Sequence, residues 1–265
     1  MYSPLKLLSR FISYKIKASN AKGHGVHSPF VYDFIRKVLI DKRNFYAFVG
    51  IENCRKELLK DKRVLHIEDF GAGSRLQKTN QRKVSEIAHS SLKPKKYSQL
   101  LFRIVNYYQP ENILELGTSL GITSSYLAFA KVDAKVVTME GSKEIAAIAN
   151  ANFEKLQLKN ISIITGNFDD QLPAFLLSQN KLDFIFIDGN HRFEPTIQYF
   201  EMLLSKIQEE SILIFDDIHW SAEMEMAWEQ IKSHPQVTVT IDLFFIGLVF
   251  FRKENKVKQH FQIDF

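Results

Sequence analysis

From residue 95 onward the chain alternates short apolar runs with stretches of helical periodicity, and this alternation limits the fold more than any other feature. Residues 113–116, 136–139, 161–165, 184–187 and 212–215 are apolar and rich in β-branched side chains. Such runs suit strands buried on both faces, and the helical stretches between them supply the crossovers of a parallel sheet. Right-handed crossovers then leave few topologies. Two further runs, 237–241 and 243–251, are separated clearly only by Asp242, so no helix fits between them and they must pair antiparallel. The predicted fold is α/β: a doubly wound, seven-stranded mixed sheet, Rossmann-like, with an antiparallel last strand. Gly247 inside that last strand predicts a bulge or a close backbone approach.

Composition removes other classes. The 265 residues are 45% hydrophobic and 25% charged, as in an ordinary soluble globular protein of one or two domains. Thirty-five basic residues against 30 acidic ones leave a net charge of +5, too mild and dispersed to indicate nucleic-acid binding. The single cysteine, Cys54, excludes an intramolecular disulfide and fits a reducing compartment, so the expected location is the cytoplasm. There is no apolar core for a signal peptide and no apolar stretch long enough to span a bilayer. Leu5, Leu8 and Ile12 share helical spacing, with Lys6, Arg10, Lys15 and Lys17 among them. Residues 1–20 therefore read either as a helix packed on its own domain or as a weak peripheral membrane element.

Residues 1–94 form a helical N-terminal region expected to cover the cleft of the 95–265 domain. Ser28-Pro29 opens a helix with an apolar face of Phe30, Val31, Phe34, Ile35, Val38 and Leu39. Residues 45–60, 84–91 and 95–108 also read as helical, 63–70 is ambiguous, and Gly71-Ala72-Gly73-Ser74 is a turn or loop.

The first strand of the alternating part runs into Glu115-Leu116-Gly117-Thr118-Ser119-Leu120-Gly121. A glycine turn at the carboxyl end of a strand, opening a helix, lies where open α/β sheets bind ligands. The next strand ends at Glu140, placed to accept both ribose hydroxyls of a nucleoside. After the third strand come Asn167, Phe168 and Asp169, suited to an adenine ring. Two later strands end in acids: Asp188-Gly189-Asn190-His191 and Asp216-Asp217-Ile218-His219-Trp220. Carboxylates at about 4 Å repel by about 4 kcal/mol at an effective dielectric near 20, so one stays protonated or a cation neutralises them. Hard divalent cations take such oxygens and can polarise a substrate hydroxyl.

These residues resemble class I S-adenosylmethionine-dependent methyltransferases across about residues 95–251. The resemblance implies a cofactor site made of Glu115, Gly117, Ser119, Gly121, Thr123, Glu140, Asn167, Phe168, Asp169 and Asp188, with Glu115 near the methionine end. The acidic residues are similar to those of metal-dependent O-methyltransferases of the catechol and antibiotic-sugar types. That similarity implies that Asp188, Asp216 and Asp217 bind Mg2+. His191 stands where catechol-type enzymes carry a lysine base, which makes His191 and Asp188 the catalytic candidates and His219 a second base candidate. The segment from Gly23 to Phe30 resembles the opening of an uncharacterised bacterial branch. Metal binding by His24 and His27 alone, and a kinase role for Asp69-Phe70-Gly71, lack the companion residues those sites need.

The expected activity is O-methylation of a small-molecule acceptor. The alternatives are a metal-free RNA or protein methyltransferase, a nicotinamide-dependent oxidoreductase, and a non-catalytic nucleoside-binding module. No Asn/Asp-Pro-Pro-Tyr tetrapeptide follows the fourth strand, which speaks against base N-methylation, and nucleic acid is not the expected partner. The chain is compatible with a homodimer.

Overall fold

The computed structural model describes residues 1–18, 27–67 and 81–265. In chain order its elements are α1 (Pro4–Lys17), α2 (Pro29–Phe34) running into a π-helical turn (Ile35–Leu39), α3 (Ala47–Leu58), β1 (Val64–His66) and β2 (Gln81–Lys83). There follow α4 (Val84–Ser91), α5 (Lys95–Tyr108), β3 (Asn112–Leu116), α6 (Ile122–Ala130), β4 (Lys135–Glu140), α7 (Lys143–Lys155), β5 (Ile161–Thr165) and α8 (Phe168–Leu177). The last are β6 (Leu182–Ile187), α9 (Phe193–Leu204), β7 (Ile207–Asp216), α10 (Ala222–Ser233), β8 (Val239–Asp242), β9 (Ile246–Phe250) and β10 (Gln259–Gln262). They divide into two compact units, one of Lys42–Ser178 and one of Met1–Asp41 with Gln179–Phe265.

In the Lys42–Ser178 unit, β3, β4 and β5 run parallel in that order. Their registers pair Leu116 with Met139 and Glu140 with Thr165, so the three carboxyl ends share one edge. β3 and β4 are buried along nearly their whole length, whereas β5 is never fully buried. The helical side of the core is aromatic: Phe45, Phe48 and Tyr126 all meet the ring of Phe102. Each such buried ring contributes about 1.5–3 kcal/mol. Tyr126 donates its hydroxyl to Glu52 at 2.8 Å, and Glu52 also accepts from Arg55 at 3.0 Å. Burial first, and then the Glu52 carboxylate, push the phenol pKa up and keep it a donor. The ambiguous stretch after residue 62 becomes β1, paired antiparallel with β2.

In the other unit β6 and β7 are parallel, β9 runs antiparallel to both β7 and β8, and β10 adds to β8 in parallel. The antiparallel pair read from residues 237–251 is present. Ten strands are formed among the described residues where the sequence predicts seven: β10, paired with β8, and the short β1–β2 pair are the additions. Gly247 makes the close approach its position implied. A Cβ there would lie 2.7 Å from Cη2 of Trp228, which is 1% exposed on α10. Trp228 is therefore a core residue.

α1 belongs to this unit. Ser3 caps its first turn and Pro4 follows at a position that needs no N–H. The Asp69-Phe70-Gly71 tripeptide, the turn at 71–74 and His24 lie outside the described residues.

Candidate functional site

The glycine turn after β3 is held by its own unit before any ligand is considered. The N–H groups of Gly117 and Thr118 both reach the carbonyl of Met139 at 3.0 Å. Gly121 caps α6 with φ +79°, and a Cβ there would meet Phe153 Cε1 at 2.7 Å. Only glycine fits both the left-handed backbone and the space under α7. Ser119, which is not glycine, also has a positive φ of 48°. A left-handed non-glycine residue costs about 1–2 kcal/mol, which the surroundings must offset.

Glu140 provides part of that offset. One of its carboxylate oxygens accepts the Ser119 N–H at 2.9 Å, and the other accepts the Ser142 N–H at 3.0 Å. A carboxylate offers about four lone-pair positions, so holding two backbone N–H groups does not by itself exhaust it. The same group can therefore shape the turn and receive a nucleoside. Ser119 Oγ is buried with no hydrogen-bond partner among the described residues. An orphaned hydroxyl in a strained turn is what a polar ligand would satisfy. The residues present thus fit a nucleoside cofactor.

Glu115 lies deeper. It is fully buried, and one carboxylate oxygen accepts hydroxyl protons from Ser124 and, at 2.7 Å, from Thr138. Thr118 Oγ1 lies 2.6 Å from Thr138 Oγ1, which gives a relay from Thr118 through Thr138 to Glu115. Sequence reasoning missed Thr138 and Ser124. The available signal was a threonine in the otherwise apolar 136–139 run. Thr123 is 8% exposed in the first turn of α6. Asn167 uses its side chain to cap α8 through the Asp169 N–H at 3.2 Å, Phe168 is half-buried and Asp169 is exposed in the first helical turn.

The acidic residues are assembled in the other unit. Ile187 at the end of β6 pairs with Phe215 in β7, so Asp188 and Asp216 leave adjacent strands side by side. Asp188, His191 and Asp216 bring ligand-capable atoms within 4.8 Å of one another, and His191 Nε2 lies 3.5 Å from Asp188 Oδ1. Asp216 is 4% exposed. Asp217 is not a member of this group. Its backbone is left-handed, with φ 54°, and its N–H donates to the Phe245 carbonyl at 2.6 Å. His191 stands in the triplet instead.

His219 is committed elsewhere. Its two ring nitrogens lie 3.2 Å from Glu225 and 2.9 Å from Asp242. Burial depresses its pKa, but the Asp242 and Glu225 carboxylates outweigh this and raise it. With both ring nitrogens engaged by carboxylates, His219 has none open to take a proton from an acceptor.

A family model described as a methyltransferase domain matches residues 114–218, from the glycine turn through the acidic triplet. No curated protein matches the chain. The fold is similar to that of the O-methyltransferase from Bacillus cereus in complex with SAH, at TM-score 0.57 and 22% identity over 83% of this chain and 97% of that one. It is similar to the SAH-bound Podospora anserina methyltransferase PaMTH1, at TM-score 0.59 and 14% identity over 85% and 97% of the two chains. The O-methyltransferase TomG from Streptomyces achromogenes, involved in tomaymycin synthesis and solved with SAM, matches at TM-score 0.57 and 18% identity over 84% and 96%. Residues 114–218 thus match a methyltransferase domain, and the chain shares its fold with solved methyltransferases bound to SAH or SAM.

Proposed function

We propose that the chain transfers the methyl group of S-adenosylmethionine to a hydroxyl of a small molecule, assisted by a divalent cation such as Mg2+. The observation that carries this reading is the convergence of Asp188, His191 and Asp216 at the ends of two parallel strands. It is supported by the O-methyltransferases among the similar folds.

In this reading Glu140 receives the ribose while Gly117, Ser119, Gly121, Thr123 and Glu115 serve the methionine end. Asn167, Phe168 and Asp169 serve the adenine side. Asp188 and Asp216 hold the cation, with Asp217 as the further oxygen donor implied by the antibiotic-sugar type. When bound, the cation lowers the pKa of a hydroxyl that coordinates it. His191 then has one of two roles: it accepts the acceptor's proton, or it supplies a nitrogen ligand. A nitrogen donor beside two carboxylates would favour Mn2+ over Mg2+. Methyl transfer itself needs no covalent enzyme intermediate; the chain contributes proximity and alignment. Residues 1–94 are assigned to cover the cleft and shape the acceptor pocket, and the enzyme is assigned to the cytoplasm.

Thermal melting with S-adenosylmethionine, SAH, NAD, Mg2+ and Mn2+ tests the reading. A ligand at about 100 times its Kd adds about 2.7 kcal/mol to stability. SAH and a divalent ion should each raise Tm, and NAD should not. A rise with NAD alone would replace the methyltransferase reading, and undiminished activity in excess chelator would remove the cation.

A further inference from the structure

α1 is docked by one face only. Phe11 meets the Phe244 ring at a centroid distance of 5.0 Å, and Tyr14 meets it at 5.3 Å. The Tyr14 hydroxyl reaches the backbone carbonyls of Asp242 and Ile263, and the Tyr2 hydroxyl donates to Glu225 at 2.7 Å. The opposite face is apolar and open. Leu5 is 80% exposed, Leu8 54%, Ile12 52% and Ile16 81%. At about 100° per residue these four side chains fall within an arc of about 80°. Lys15 borders the arc on one side, Lys6 and Lys17 lie about 80–100° beyond its other edge, and Arg10 falls farther round toward the docked face. Residues 1–32 contain no Asp or Glu. Arg10 pairs with Glu225 and Lys15 with Asp264, whereas Lys6 and Lys17 form no ion pair among the described residues.

We propose that α1 is a membrane-surface helix, seating Leu5, Leu8, Ile12 and Ile16 at the headgroup boundary of an anionic lipid bilayer while its lysines reach the lipid phosphates. An apolar stripe with cations to either side of it, on a helix already fixed to its domain by the other face, is the arrangement such a surface takes. Among the described residues no helix is long and apolar enough to cross a membrane. A second copy of this chain is the poorer occupant. Two-fold pairing brings the same patch against itself, and here that sets Lys6 and Lys17 against like charges. The inference is independent of the proposed chemistry.

Sedimentation of the full chain with vesicles tests it, comparing phosphatidylcholine mixed with phosphatidylglycerol against phosphatidylcholine alone. Preferential binding to the anionic vesicles is expected. Leu8→Asp with Ile12→Asp should reduce it about tenfold or more, and Lys6→Glu with Lys17→Glu should reduce it while leaving the apolar stripe intact. Leu8, Ile12 and Lys17 are exposed and Lys6 gives up only its contact with the Tyr2 ring, so Tm should stay close to the wild-type value. Equal binding to both vesicle types, or none, overturns the proposal. So does a wild-type dimer that the Leu8→Asp, Ile12→Asp variant turns into a monomer with vesicle binding unchanged.

Discussion

The edge beyond β3 and β4 and the edge beyond β6 and β7 both end in carboxylates, yet they treat them in opposite ways. Glu140 is met by two backbone N–H donors of its own unit. Asp188 and Asp216 are brought beside each other and beside an imidazole. A carboxylate already held by donors is tuned to accept neutral hydroxyls. Two carboxylates gathered together create a local demand for positive charge. On the proposed reading, one edge recognises a sugar and the other attracts a cation.

The sharpest way to break this contrast is Glu140→Ala. It removes the acceptor for Ser119 and Ser142 as well as the proposed ribose contacts. The expected loss of SAH affinity is about 3 kcal/mol, or about 100-fold, by titration calorimetry. Unchanged affinity would mean that Glu140 only shapes the turn. Next in size is Asp216→Asn, which should weaken Mn2+ or Mg2+ binding by about 2 kcal/mol and leave SAH affinity within about twofold of wild type. Equal losses for both ligands would erase the division of labour between the two edges. Gly121→Ala should cost about 1.5 kcal/mol of stability in urea unfolding, since it adds a methyl group against Phe153 at a positive φ. The smallest effect belongs to Ser119→Ala. Its hydroxyl is satisfied only when a ligand is present, so SAH affinity should fall by under 1 kcal/mol with Tm of the free protein unchanged or slightly raised.

The contrast also explains what could be read before any coordinates. β3, β4, β6 and the end of β7 were legible because burial on both faces demands apolar runs, whereas β5, never fully buried, was legible from its isoleucines and its place in the alternation. The turn at Gly117–Gly121 and the acid at Glu140 were legible because chain direction puts each of them at a strand's carboxyl end. β10 was not, since Gln259–Gln262 alternates half-buried and exposed positions and carries little apolar signal. β1 and β2 are three residues each, too short to show a period. The Glu115 relay was hidden because hydroxyls from Thr138 and Ser124 meet it only after a strand and a helix have packed. His191 was singled out as a base by its position. Its entry into the acidic triplet depends on where the 188–191 turn lays the ring, which no spacing rule supplies.

The contact between Gly247 and Trp228 carries a consequence for how such a chain can change over generations. The indole occupies the volume that any side chain at 247 would claim. Drift at either site alone meets a barrier: enlarging 247 evicts the indole, and shrinking 228 leaves a hole beside a bare strand. The two positions form a lock and its complement, and a descendant that escapes the present pairing must alter both together, with Gly247→Ala tolerated best where Trp228→Phe has already opened the room.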